Sequence, residues 1–216
     1  KNCVNVAVVG MGIGRPNGMA LANNKRGKVV ALCDLDQSRM EDFARELPDS
    51  VKYYTDYKEM CQDPNIDAVF VGTPNQWHVP IGLEAVNSGK HVMITKPLAD
   101  SEMAAEEMVA AADDAGVVNM MSLSKRFGDG CRHLGHLARD GYFGELYYAR
   151  SRSVRRNGIP AWNLGFIKKG GGAFRDMGVH ALDAVWWVLG TPKPVHVVGT
   201  AGAKFGPYGR GYGWGR

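Results

Sequence analysis

The sequence predicts an α/β protein: a parallel sheet covered on both faces by helices, followed by an α+β part that stops before its sheet is complete. Three observations carry this. From Val4 to Met121, short apolar runs alternate with helix-like stretches over short connections, the rhythm of parallel strands joined by helical crossovers. A glycine cluster, Gly10-Met-Gly-Ile-Gly14, stands where the first run meets the first helical stretch. After about residue 122 the rhythm changes to glycine-rich and half-alternating segments, which divides the chain into domains at 1–122 and 123–216.

Val4–Val9 is the first strand, and a helix-compatible segment runs from about Pro16 to Asn24. Val29–Cys33 is the next strand, with Asp34 at its end. Asp36 then serves as N-cap to a helix whose Met40, Phe43 and Leu47 recur at spacings of three and four. Asp67–Val71 and His91–Ile94 are short buried strands. The helix between them carries Val79, Leu83 and Val86 on one face and ends at Ser88-Gly89. Ser101 opens a helix from Met103 to Ala115, Gly116 stops it, and Val117–Met121 closes the alternation as a further strand. Beyond the boundary, a helix from about Asp129 to Asp140 precedes Glu145–Val154, which reads as a half-exposed strand. Gly170-Gly-Gly172 leads into a helix from about Asp176 to Leu189, with Leu182, Val185 and Leu189 as its buried stripe. Val195–Val198 reads as another strand, and glycine-rich sequence runs on to Arg216 with no closing element.

With 45% hydrophobic and 22% charged residues, the 216-residue chain is ordinary globular material. A disordered tail, a collagen-like fibre and a disulfide-stapled miniprotein are excluded. The net charge of +4 is diffuse. Its densest basic segment, Arg150 to Arg156, is interrupted by uncharged residues, so no nucleic-acid partner is expected. No apolar run approaches the ~20 residues of a membrane span. Cys3, Cys33, Cys61 and Cys131 form no C-x-x-C pair. They read as buried free thiols rather than a metal site or disulfide frame, in a reducing, cytoplasmic compartment. The chain begins at Lys1 rather than Met, so an exported form with a removed leader stays open. Neither H-E-x-x-H nor a Cys/His cluster occurs, and no metal is expected.

Glycines between a strand and a helix let a dinucleotide's pyrophosphate approach the backbone, and the helix N-terminus offers it unpaired N–H groups. The fingerprint G-x-G-x-x-G would place its third glycine at 15, where this chain has Arg15. Tight turns without ligands also carry glycines. Asp34 favours the cofactor reading, because it ends the second strand about 20 residues beyond the turn, where an acid accepts hydrogen bonds from ribose hydroxyls. Its charge repels a 2′-phosphate, which favours NAD, while nearby Arg39 leaves NADP open. Thr73-Pro-Asn75 and Thr95-Lys-Pro97 follow later strands at their carboxyl ends, where open α/β sheets bind ligands. Taken alone, Lys96 is a solvated charge. Asp176 and His180 stand four apart, on one helix face if the helix has begun. An acid so placed fixes an imidazole's tautomer for general-base work, and an N-cap aspartate with an ordinary histidine makes the same pattern. Trp162, Trp186 and Trp187 could stack on a sugar ring, though the last two lie in a helix and read as core.

Taken together, these motifs resemble the Gfo/Idh/MocA oxidoreductases, relatives of glucose–fructose oxidoreductase and inositol dehydrogenase. The resemblance rests on the glycine turn, Thr73-Pro-Asn75 with His78, Gly89-Lys-His91, Lys96-Pro-Leu-Ala99, Lys125-Arg-Phe127 and Gly170-Gly-Gly172 through Asp176 and His180, in that order. It implies a doubly wound Rossmann domain followed by an α+β domain with an open sheet, often used for oligomerisation. It further implies catalytic Lys96 and His180, with Asp176 as partner to His180, and a cis Lys96-Pro97 bond. The implied cofactor residues are Gly10, Gly12, Ile13, Gly14, Asp34, Thr73, Pro74, Asn75, His78, Lys96, Pro97 and Arg126. The family's glutamate before the lysine is Thr95 here, and its relatives continue past residue 216, so the chain reads as truncated at its C-terminus.

The expected function is NAD(P)-dependent hydride transfer between nicotinamide and a carbinol or ketone of a sugar, cyclitol or related molecule. The full-length form is expected to be a homo-oligomer. Two alternatives stay open: a non-catalytic dinucleotide-binding sensor or regulator of the same fold, and a glycosidase that uses NAD transiently.

Overall fold

The computed structural model describes residues 3–154 and 172–202. Arg155, Arg156, Trp162, Gly170, Gly171 and the stretch 203–216 lie outside them. The chain forms two compact units, Lys1–Ser122 and Leu123–Arg216.

In the first unit, β1 (Val4–Val9), β2 (Gly27–Cys33), β3 (Lys52–Tyr54), β4 (Ala68–Val71), β5 (His91–Thr95) and β6 (Asn119–Ser122) form one sheet. Their order is β3-β2-β1-β4-β5-β6, and every neighbouring pair is parallel. This is the doubly wound Rossmann arrangement, with its switch in strand order between β1 and β4. The inner strands β1, β2, β4 and β5 are mostly apolar without strict alternation because both faces are covered. Helices α1 (Gly14–Ala22) and α2 (Gln37–Ala44) bury Val6, Val8, Leu32 and Phe70 on one face, together with their own Met40 and Phe43. Helices α3 (Tyr57–Cys61), α4 (His78–Asn87) and α5 (Glu102–Asp114) cover Ala7, Val9, Ala31, Val71 and Ile94 on the other. Each fully buried side chain of Val, Leu or Phe size stabilises the sandwich by about 1.5–3 kcal/mol.

Helices α2, α3 and α5 start where short polar side chains accept from the first free N–H groups. Asp36 accepts from Ser38, Asp56 from Lys58 and Ser101 from Ala104. β3 and α3 follow from no apolar run; of Lys52, Tyr53 and Tyr54 only Tyr54 is buried. They are held instead by a polar cluster. Asp63 accepts from Lys52 Nζ at 2.9 Å and from the Tyr54 hydroxyl at 2.7 Å. The Lys52 ammonium, then the Tyr54 hydroxyl and the Asn65 N–H, hold the Asp63 carboxyl well below the usual carboxylate range. Buried Lys90 donates to the Asp63 and Ile66 carbonyls, each at 2.9 Å, and so pins the turn that leads into β4.

The second unit contains a 3-10 turn at Ser124–Phe127, helix α6 (Asp129–Arg139), a π turn at Phe174–Gly178 and helix α7 (Val179–Val188). α6 meets α7 at Gly135, where a Cβ would stand 2.5 Å from the Trp187 ring. The Arg139 guanidinium lies 5.1 Å from that ring's centroid. Here the structure corrects several expectations. Glu145–Val154 and Val195–Val198 are exposed and form no strand, because alternation makes a strand only where a partner supplies the ladder of hydrogen bonds. The α7 stripe is also displaced: Leu182 is 56% exposed, while Asp183 is buried. Trp186 is partly exposed and donates its indole N–H to the Pro192 carbonyl at 2.7 Å.

Candidate functional site

The turn from β1 into α1 is built by close backbone approach. Gly10 has φ +86°, and a Cβ there would lie 2.6 Å from the Gly72 carbonyl oxygen. A Cβ on Gly72, just past β4, would lie 2.8 Å from Gly14 N. The two loops at the carboxyl ends of β1 and β4 therefore touch backbone to backbone, which only glycine permits. Gly12 differs: a Cβ there would meet only the tip of Arg39, at 3.9 Å. Its missing side chain leaves room on the turn rather than allowing packing. Ile13, half-exposed, precedes α1 and provides no side-chain cap, so the first N–H groups of the helix remain for an anion.

Arg15 stands where the fingerprint has its third glycine. It pairs with Glu46, and its guanidinium lies 5.9 Å from the Phe43 ring centroid. The tight packing of α1 falls to Gly14, against the sheet, and to Gly18, against α2. A Cβ on Gly14 would be 3.0 Å from Val8, and one on Gly18 2.9 Å from the Phe43 ring. The four-residue spacing of these glycines on α1 was the available signal for Gly18, which sequence reasoning passed over.

Asp34 ends β2 beside the turn. Its Oδ2 accepts the Met11 N–H at 2.6 Å and its Oδ1 the Asp36 N–H at 3.1 Å. A carboxylate offers about four lone-pair sites, so acceptor capacity is left for hydroxyls. Half-exposed Arg39 stands 3.6 Å from Oδ2. Donors at the helix start, an acceptor at the β2 end and an open flank at Gly12 fit the phosphates and ribose of a dinucleotide. Cys33 and Cys61 are pushed up to about 12, by burial first, which makes them inert packing groups rather than nucleophiles.

Along the same sheet edge, Thr73 follows β4 with its Oγ1 buried and without a hydrogen-bond partner among the described residues. Pro74 and Asn75 lead into a 3-10 turn at Asn75–Trp77. Half-buried Lys96 follows β5, and the Lys96-Pro97 bond is cis. His78 stands at the start of α4 on the same sheet edge. It is 1% exposed, and its ring nitrogens lie 2.6 Å from the Pro97 carbonyl and 2.9 Å from the Thr73 carbonyl. Thr95, in the position of the expected glutamate, is buried with Oγ1 3.3 Å from His78 Nε2.

In the second unit the Arg126 guanidinium pairs with Asp183, with Nε 3.0 Å from both carboxylate oxygens and Nη2 bonded to Oδ1. That hydrogen bond raises Arg126 above its ordinary value. Sequence reasoning missed Asp183, a charge lying inside the expected apolar stripe. Asp176 lies in the π turn and His180 in α7, both half-buried. Their four-residue spacing therefore crosses a change of helical pitch instead of following one α-helical face. Among the described residues no group of His, Cys, Asp and Glu is arranged to hold a metal ion, and no helix is long and apolar enough to cross a membrane.

Two family models match the chain. Residues 4–123 match the oxidoreductase family with NAD-binding Rossmann fold, GFO_IDH_MocA, and residues 131–207 match the GFO/IDH/MocA C-terminal domain. D-glucoside 3-dehydrogenase of Escherichia coli K12 is 34% identical over 167 residues, covering 76% of this chain and 47% of that relative. Among solved structures, myo-inositol 2-dehydrogenase from Lactobacillus plantarum aligns with a TM-score of 0.76 at 28% identity, over 87% of this chain and 57% of that one. Scyllo-inositol dehydrogenase from Lactobacillus casei, solved with NAD(H) and scyllo-inositol, aligns with a TM-score of 0.75 at 25% identity, over 87% and 56%. The chain spans about half the length of the curated relatives it matches.

Proposed function

This chain belongs to the GFO/IDH/MocA oxidoreductase family, and we propose that it is the NAD-binding part of a dehydrogenase or reductase acting on a sugar, cyclitol or related carbinol. The observation that carries the reading is the Asp34 carboxylate fastened to the Met11 N–H of an open glycine turn at the uncapped start of α1. The relatives named as glucoside and inositol dehydrogenases support the substrate class.

The N–H groups of the α1 start would hold the pyrophosphate near Gly12, and Asp34 would accept from the adenosine ribose. When bound, NAD supplies the hydride acceptor. The chain's own residues handle the proton and the charge. His180 takes the proton of the carbinol hydroxyl, with Asp176 as the carboxylate that orients its ring. The Lys96 ammonium stabilises the negative charge that develops on the oxygen.

Kinetics with NAD and a panel of polyols and glucosides test this. Lys96→Met and His180→Asn should each lower kcat by about 10²-fold or more with little change in NAD affinity. NAD binding with both replacements leaving turnover intact would remove these residues from the chemistry, and NAD binding without turnover of any polyol would favour the regulatory reading.

A further inference from the structure

The loops that follow β4 and β5 are joined through one buried side chain. His78 is the first residue of α4, and its ring lies among a carbonyl from each of these loops and the hydroxyl of Thr95 at the end of β5. Nδ1 is 2.6 Å from the Pro97 carbonyl, while Nε2 faces the Thr73 carbonyl at 2.9 Å and the Thr95 hydroxyl at 3.3 Å. A carbonyl oxygen only accepts, and both ring nitrogens face one; the Pro97 contact is the shorter, which favours the neutral tautomer with its proton on Nδ1, donated to Pro97. Nε2 then has a lone pair that accepts a hydrogen bond from the Thr95 hydroxyl. With the proton on Nδ1, the ring's hydrogen bonds fall on Pro97 and Thr95, the residues on either side of Lys96.

We infer that His78, seconded by Thr95, is a positioning residue that fixes where the Lys96 ammonium stands. The inference rests on the proposed role of Lys96 in hydride transfer. A buried hydrocarbon of similar volume would fill the same space, but it would leave the Pro97 carbonyl unsatisfied and the segment free to shift. A displacement of about 1 Å at a group that stabilises developing charge costs on the order of 10²-fold in rate. The ring has no exposed face from which to touch a ligand, so its effect has to pass through the backbone it holds. Because the Pro97 contact is the shorter and flanks Lys96 directly, a donor at the Nδ1 position should matter most.

The test compares His78→Leu, His78→Asn, His78→Gln and Thr95→Val in the full chain. Asparagine puts an amide nitrogen where Nδ1 stands, and glutamine puts one near Nε2. Three measurements are made: NAD dissociation constants, kcat and KM with NAD and myo-inositol or methyl glucoside, and the NMR signal of ¹³C-dimethylated Lys96, assigned by its loss in Lys96→Met. His78→Leu should lower kcat by about 10- to 100-fold while KM and the NAD dissociation constant stay within about threefold. It should also move the Lys96 signal. His78→Asn should restore both more fully than His78→Gln, and Thr95→Val should shift the signal by a smaller amount. If His78→Leu only lowers the melting temperature, with kcat and the Lys96 signal unchanged, the inference is overturned. If His78→Leu does not fold, an unmoved signal in His78→Gln and Thr95→Val overturns it equally. A wild-type chain that turns over none of these substrates would defeat the hydride-transfer reading, and the Lys96 signal would still decide the positioning.

Discussion

Replacing Asp34 by alanine removes a carboxylate that already accepts two hydrogen bonds and pairs with Arg39, and that in the proposed complex also meets the ribose. In the free chain the main loss is the 2.6 Å bond to the Met11 N–H, because Met11 is buried and water replaces the carboxylate poorly there. A hydrogen bond to a charged group contributes about 1.5–3 kcal/mol. The Asp36 N–H is exposed and finds water. The apo protein should therefore lose about 2 kcal/mol, read as a lower urea midpoint at unchanged m-value. Loss of a charged acceptor for the ribose should weaken NAD by a further 1.5–3 kcal/mol or so, about 10- to 100-fold in the dissociation constant. NADP should respond differently. Arg39, 3.6 Å from Asp34 Oδ2, loses its counter-ion and becomes available to a 2′-phosphate, so the preference for NAD over NADP should narrow by about tenfold or more. Titration calorimetry with both dinucleotides measures this. A folded Asp34→Ala chain that binds both with wild-type affinity would refute the assignment. A loss equal for NAD and NADP would confine Asp34 to supporting the turn.

The glycines of the turn should separate into two kinds. Gly72→Ala forces a Cβ to 2.8 Å from Gly14 N and should destabilise the fold as well as abolish NAD binding. Gly12→Ala should melt within about 1 kcal/mol of wild type, yet bind NAD at least about tenfold more weakly. Arg126→Leu leaves the buried Asp183 carboxylate without its partner and should cost about 3 kcal/mol by urea denaturation; Arg126→Leu combined with Asp183→Leu should recover most of it. The acid limb of the stability curve should depend on Asp63, which is depressed in the folded state chiefly by Lys52. Its contribution is fully present above the ordinary carboxylate value of about 4 and fades as pH falls below it. Asp63→Asn should accordingly flatten the urea midpoint against pH between about pH 4 and pH 2; an unchanged acid limb would contradict this.

The sequence by itself determined the alternation of strands and helices in the first unit, because each apolar run and each capping residue acts on its own neighbours. Asp36 and Ser101 start helices through N–H groups two and three residues away, and Val69 to Val71 is buried in either register of a doubly covered sheet. The glycine turn and Asp34 were legible for the same reason, since strand, turn and acid follow one another at fixed spacing. Tertiary structure decided whatever depended on distant partners. β3 exists because Ala31 to Cys33 of β2 offer it a ladder, a pairing that its own residues do not announce. Glu145–Val154 and Val195–Val198 have the alternation of strands and form none. Asp183 is buried where an apolar stripe was expected because Arg126, far off in sequence, meets its charge. His78, read as a cofactor contact from its place after Thr73-Pro-Asn75, turns inward because carbonyls from two separate loops converge on its ring. Propensity, capping and turn geometry operate within a few residues. Strand pairing and the neutralisation of a buried charge need a second segment, whose position only the folded chain supplies.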